Sequence, residues 1–182
     1  MITGNWAEFG LLVAVLAGAA LADWRTGRIP NWVTYPGVLG ALVLAVGLGW
    51  EHGLWHGVFE GVGWSLLGAA AGLFPMAAVY FLGGLGGGDV KLMAFVGAVA
   101  TWQRLDFLLA AAVDGFLAGL LLAVSVMIRQ RIVLRTLQRI AGAVLGALMR
   151  VPAPLPQDSP KIPFALALAI GGIVAGWQYV LR

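Results

Sequence analysis

Long apolar stretches alternate with short polar ones along the whole chain. Residues 6–22 are apolar apart from Glu8, and residues 32–50 and 61–82 carry no charge. Residues 90–102, 107–128 and 162–181 continue the series, the fifth stretch broken by Asp114. About 20 apolar residues in helical form cross a bilayer core. The pattern therefore predicts about six transmembrane helices. The fourth is short, and must thin the bilayer locally or borrow residues from the turn before it. No basic segment precedes the first stretch, so it reads as a retained helix and not as a cleaved leader.

Composition agrees with this pattern. The chain is 61% hydrophobic and 10% charged, against about 25% charged in soluble domains. The expected fold is an all-α integral membrane protein, with residues 1–182 forming a single transmembrane domain. Its partner by composition is the lipid bilayer, and nothing suggests nucleic acid. With no cysteine, a disulfide framework, a thiolate zinc site and a thiol nucleophile are excluded.

The polar stretches differ in character. Residues 23–31 form a turn in which Pro30 sets the start of the next helix, and residues 51–60 read as a short loop. Residues 83–91 are Gly-rich and end in Gly86-Gly87-Gly88-Asp89-Val90-Lys91. Residues 129–161 divide into two parts. Arg131, Arg135 and Arg139 recur every four residues among Ile132, Val133, Leu137 and Ile140, which predicts a basic amphipathic helix on the membrane surface. Pro152, Pro154, Pro156, Pro160 and Pro163 then make an extended connector.

Charge sets the orientation. With the amino terminus outside, the inner segments hold Arg25, Arg28, Lys91, Arg129, Arg131, Arg135, Arg139, Arg150 and Lys161, leaving Arg104 and Arg182 outside. Lys and Arg favour the cytoplasmic side, so both termini are expected to face out and the amphipathic helix to be cytoplasmic. Asp23 then closes the first span, and Asp89 opens the fourth, on the same inner side.

Two carboxylates at one depth, near water and beside an apolar wall, suit general acid/base chemistry. Crowded carboxylates do not both ionise cheaply, so one keeps a proton while the other can activate water. Each could equally be a helix cap, because Asp favours helix starts and turns. His52, His56 and Glu60, spaced four apart, are weak metal candidates: three ligands in a short loop more often form a solvated face, and no metal or other cofactor is expected. Asp114 is expected to support the site from nearer the outer half. The glycines do not make a phosphate loop, which needs GxxxxGK[ST]. Gly68 to Gly72 suits close helix packing.

The GxGD motif at Gly86–Asp89, its GDVK extension through Lys91, Asp23 with the Ile29-Pro30-Asn31 turn, and Lys161-Ile162-Pro163-Phe164 together resemble the type IV prepilin peptidases. These are the GxGD membrane aspartyl proteases. The resemblance covers all six spans. It implies that Asp23 and Asp89 are the catalytic pair, with Gly86, Gly88, Lys91, Pro30 and Asn31 supporting the site. It also implies an aspartic endopeptidase that removes the leader from prepilin-like proteins at the cytoplasmic face of the inner membrane. The chain looks like the short form, found with tight-adherence pili, without the cysteine-bearing domain that accompanies methylation in longer members. The competing reading is a small transporter that relays protons or a cation through Asp23, Asp89 and Asp114. A relay wants its carboxylates staggered across the membrane, whereas two of these share one edge.

Overall fold

The computed structural model describes residues 2–81, 86–99, 105–134, 138, 141–142 and 164–180. It is all-α. Helix α1 spans Ile2–Thr26, α2 Asn31–Phe81, α3 Gly87–Val99, α4 Leu105–Arg129 and α5 Phe164–Val180. Among the described residues, four segments are long and apolar enough to cross a membrane: Trp6–Thr26, Asn31–Glu51, Gly53–Phe81 and Asp106–Arg129. The apolar part of α5, Phe164–Gln178, is shorter.

The expected loop at residues 51–60 is not a loop. Helical structure runs through it, and α2 is two arms joined at Gly53 and Leu54, whose backbone leaves the helical region. The chain reverses there. A Cβ at Gly49 would stand 2.5 Å from the Gly57 carbonyl oxygen, a contact that eight residues of straight helix, about 12 Å long, cannot make. The break between apolar runs placed the reversal here, but it could not show that only two residues turn while their neighbours stay helical.

Small residues bring the helices together. In a bilayer, association depends on close packing, since lipid tails are as apolar as leucine. Gly18 faces Val33, Gly37 faces Val15, and Gly40 faces Leu11, so α1 and the first arm of α2 run antiparallel. On the second arm, Gly68 and Gly72 lie against the backbone of Gly97 and Met93. There the Ser65 hydroxyl donates to the Ala98 carbonyl at 2.9 Å, a buried bond that satisfies both groups. Helix α5 runs antiparallel to α1, with Gly172 on Leu16 and Gly176 on Phe9 and Leu12. It also runs antiparallel to α4, with Gly115 on Leu168 and Gly171 on the backbone of Asp114 and Gly115.

Helix α3 is the shortest and the most enclosed. Its thirteen residues reach about 20 Å, less than the hydrocarbon core. Every residue from Val90 to Val99 except Lys91 is buried, and Leu92, Phe95 and Val96 are fully so. Protein surrounds it, so it has no lipid face that would require a full-length span. That is the physical reason the fourth apolar stretch could be short.

Two compact units are distinguished, residues 1–119 with 163–182, and residues 120–162. In the second unit α4 ends in a Schellman motif: the Ile132 N–H donates to the Met127 carbonyl at 3.0 Å, the Arg131 N–H donates to the Ile128 carbonyl at 3.1 Å, and Arg131 takes φ 55°. Beyond this stop, Val133, Leu134, Gln138, Ala141 and Gly142 are helical. The rest of the expected amphipathic segment, including Arg135 and Arg139, and the proline connector lie outside the described residues.

Candidate functional site

The antiparallel contacts gather one set of helix ends. The end of α1, the start of α2, the start of α3 and the start of α5 meet where Asp23 and Asp89 stand.

Asp23 is three residues short of the end of α1. Gly27 terminates that helix in the left-handed region at φ 63°, where a side chain would be strained, and its N–H donates to the Asp23 carbonyl at 2.7 Å. The Thr26 hydroxyl bonds the Ala22 carbonyl at 2.8 Å and the Arg28 carbonyl at 3.0 Å, which steadies the turn. The half-buried Asp23 side chain crosses to α5, where Oδ2 accepts the Ala165 N–H at 3.3 Å. Ala165 lies in the first turn of α5, whose N–H groups have no partner within the helix. Asp23 therefore holds the start of a helix 142 residues along the chain.

Asp89 holds the start of its own helix. Gly86 precedes α3, and its N–H donates to Asp89 Oδ2 at 3.3 Å, while the Asp89 N–H donates to the Gly86 carbonyl at 3.1 Å. The first bond is the returning half of a capping box, and the second is a backbone turn bond, since glycine has no side chain to complete the box. The capping and functional readings of these aspartates are thus compatible. Each commits Oδ2 to a backbone N–H, and among the described residues no bond is made by either Oδ1.

Asp89 precedes the apolar run of α3, and its carboxyl is pushed up to about 6. Burial is the main cause; the Gly86 N–H pulls it back, and the Asp23 carboxylate pushes it further up. The last effect places the two carboxylates within electrostatic reach of each other.

The supporting residues predicted from sequence surround the pair. Gly88 lies against Ile29: a Cβ at position 88 would stand 2.8 Å from that of Ile29, so a side chain there would force the α1–α2 turn and α3 slightly apart. Pro30 immediately precedes α2, and its carbonyl accepts the Val33 N–H at 3.1 Å. The Lys91 ammonium donates to Asn31 Oδ1 at 2.8 Å and stands 5.4 Å from the centre of the Tyr35 ring. Two aromatic residues at this end were not anticipated, Tyr35 and Tyr80, the second with its ring against Gly87. Tyr35 could have been found, since it lies one turn beyond Asn31 on the same helix face. Gly83 lies outside the described residues.

Other candidates lie elsewhere. Asp114 is half-buried beside Gly171, six residues and about 9 Å along α5 from the Ala165 contact. That offset separates it from the pair along the helix. His56 and Glu60 pair with each other at 3.6 Å, both exposed, and the His52 side chain lies outside the described residues. Among the described residues no group of three His, Asp or Glu side chains could hold a metal.

Comparison with known proteins bears on this end of the molecule. The model of the type IV leader peptidase family matches residues 10–128, which contain both aspartates and the turns that carry them. A prepilin leader peptidase/N-methyltransferase of Burkholderia pseudomallei is 34% identical over 122 residues, covering 63% of this chain and 36% of the relative. One from Myxococcus xanthus is 32% identical over 120 residues, 62% of this chain and 33% of the relative. The chain thus spans about a third of the length of these relatives. The leader peptidase HopD of Salmonella typhimurium is 28% identical over 182 residues, 95% of this chain and 90% of that protein. No solved structure matches significantly. With well over half its length matched, and with the matched part carrying the glycine turn and both aspartates, the chain belongs to the type IV leader peptidase family.

Proposed function

We propose that the protein is an aspartic endopeptidase that removes the leader from prepilin-like substrates, with Asp23 and Asp89 as its catalytic pair. The observation that carries the reading is that these two carboxylates stand at one gathered set of helix ends, where Ile29 meets Gly88, each fixed by a backbone N–H through one oxygen and both within the region matched to the family. Family membership supports leader cleavage as the reaction.

The chemistry balances on the two groups alone. The active form holds one proton on the pair; Asp89, raised to about 6, is assigned it, and Asp23 acts as the ionised member. Asp23 takes a proton from water as the water oxygen attacks the scissile carbonyl carbon, and Asp89 gives its proton to the carbonyl oxygen. The resulting diol collapses as Asp89 takes back a hydroxyl proton and Asp23 protonates the leaving nitrogen. The carbon–nitrogen bond breaks, and both aspartates return to their starting states.

On the topology expected from the sequence, nine of the eleven Lys and Arg residues fall in the inner segments, which supports a site facing the cytoplasm in the inner membrane. A basic leader would stay at that surface while the apolar helix following it enters from the bilayer. The test is cleavage of a membrane-anchored prepilin by purified protein. Wild type should release the leader; Asp23→Asn and Asp89→Asn should not. Full turnover by folded, membrane-inserted Asp89→Asn would refute the assignment.

A further inference from the structure

Lys91 is an unusual cation for its setting. It is the one residue between Val90 and Val99 that is not buried, and its ammonium faces neutral groups, the Asn31 amide oxygen and the Tyr35 ring. Both belong to the first turns of α2, and they are four residues apart, so they form one cradle on one helix face. Among the described residues no carboxylate pairs with Lys91. A cation used for charge neutralisation would be expected beside Asp89; this one reaches sideways to the next helix.

The helix it reaches leads directly to the other aspartate. Asn31 is the first residue of α2, joined to Asp23 by the tight turn over residues 27–30. That turn touches the start of α3 at two points. One is apolar, Ile29 on Gly88; the other is polar, Asn31 on Lys91. The contacts flank Asp89, one residue before it at position 88 and two residues after it at position 91. Contact at one point alone would let the turn pivot, whereas contact at two fixes it.

We infer that Lys91 and Asn31, with Tyr35 beneath the ammonium, form a latch that holds the Asp23-bearing turn against the start of α3 and so sets the spacing of the two carboxylates. They are positioning residues. The inference rests on the catalytic reading of the pair, but the contact itself can be measured without any substrate.

The absence of native cysteine makes the measurement clean. In an Ile29→Cys/Gly88→Cys variant the two Cβ atoms need move apart only to about 3.8 Å to form a disulfide. Oxidation should cross-link this pair rapidly in detergent-solubilised or membrane-embedded protein. Adding Lys91→Met or Asn31→Ala should slow cross-linking several-fold. In the cysteine-free protein, either substitution should lower kcat about 10- to 100-fold with KM little changed, the scale on which small misplacements of reacting groups act. The double variant should be no worse than the worse single, because the two residues make one contact. Asn31→Asp, which keeps an oxygen for the ammonium, should retain most of kcat.

Each alternative result overturns the latch. Unchanged cross-linking in Lys91→Met would show that the turn is held without it. A raised KM with unchanged kcat would make Lys91 a substrate contact. Additive losses in the double variant would mean that the two residues act separately. Failure of the folded cysteine pair to cross-link at all would deny the approach of turn and helix. Should wild type cleave no prepilin, the cross-linking rates would still decide the latch, so the two readings fail separately.

Discussion

The two reversals of α1 and α2 contrast in construction. The α1–α2 turn at residues 27–30 is tied to parts of the chain far away in sequence: Asp23 to Ala165, Ile29 to Gly88, Asn31 to Lys91. The reversal inside α2 at Gly53–Leu54 is tied mainly to itself. Its ring pair, Trp50 with Trp55 at 5.5 Å, and its ion pair, His56 with Glu60, are both local, and these side chains are exposed. Leu54 is held in the left-handed region at φ 55° without burial in compensation. The lesson is that polar groups with long-range partners mark the end where geometry matters. Polar groups with near neighbours mark an end where the chain has only to turn round.

Breaking the first end should cost the most. Asp23→Asn or Asp89→Asn should abolish leader release in a purified cleavage assay, and the double variant should be little worse than either single, because the two act as a unit. Asp114→Asn, some two turns away along α5, should keep substantial activity. Loss of activity there equal to that in Asp89→Asn would extend the site across the membrane and revive the transporter reading.

Next in size is the seam that positions α3. Gly68 and Gly97 meet backbone to backbone, so Gly97→Val inserts a branched side chain where there is no room. Overpacking of this kind costs about 1–3 kcal/mol or more. Thermal unfolding in detergent should shift to lower temperature, with activity falling in step. An unchanged melting temperature would contradict the close approach.

The pH profile tests the electrostatics of the pair. Asp89 must hold its proton to act as the acid. As pH rises through about 6 the proton is lost, and activity should fall about tenfold per unit above that point. At strongly acid pH the second carboxylate also protonates and activity should fall again, giving a bell whose limbs belong to the pair. Stability follows the same group. Its pKa is raised above the ordinary 3.8, so the folded state binds the extra proton, and this contribution is lost as pH rises from about 4 to about 6. A cleavage rate flat from pH 5 to 8 would remove Asp89 as the proton donor.

The smallest effects are expected at the other reversal. His56→Ala and Glu60→Gln break an exposed pair worth about 0–1 kcal/mol, and should leave cleavage within about twofold. Leu54→Gly removes the left-handed penalty, of order 1 kcal/mol, and should leave stability equal or slightly higher. A strong loss of activity from any of these would mean that the distal end is more than a connector.

Much of this was legible in the sequence. Apolar runs of membrane-spanning length specify helices in lipid, because no other open element satisfies its own backbone there. Glycines spaced for close contact, the Gly86–Asp89 turn and the Ile29-Pro30-Asn31 turn are local signals, and the structure realises each locally as a seam, a side-chain-capped turn and a helix start. Asp23 and Asp89 drew notice because carboxylates at the edge of apolar runs are costly, which left capping and function both open until the family resemblance singled them out as a pair. Tertiary structure alone decided the rest. The polar stretch at 51–60 marks a reversal, but hydrophobicity does not register that it takes only two residues, Gly53 and Leu54, with helix on either side. The short α3 became acceptable only because other helices surround it. The N–H that Asp23 accepts belongs to Ala165, and the oxygen that Lys91 finds belongs to Asn31, pairings between residues 142 and 60 positions apart. Periodicity reports which face of a helix is apolar, but a hydrogen bond between elements depends on how the helices pack, and that is settled only when the whole chain has folded.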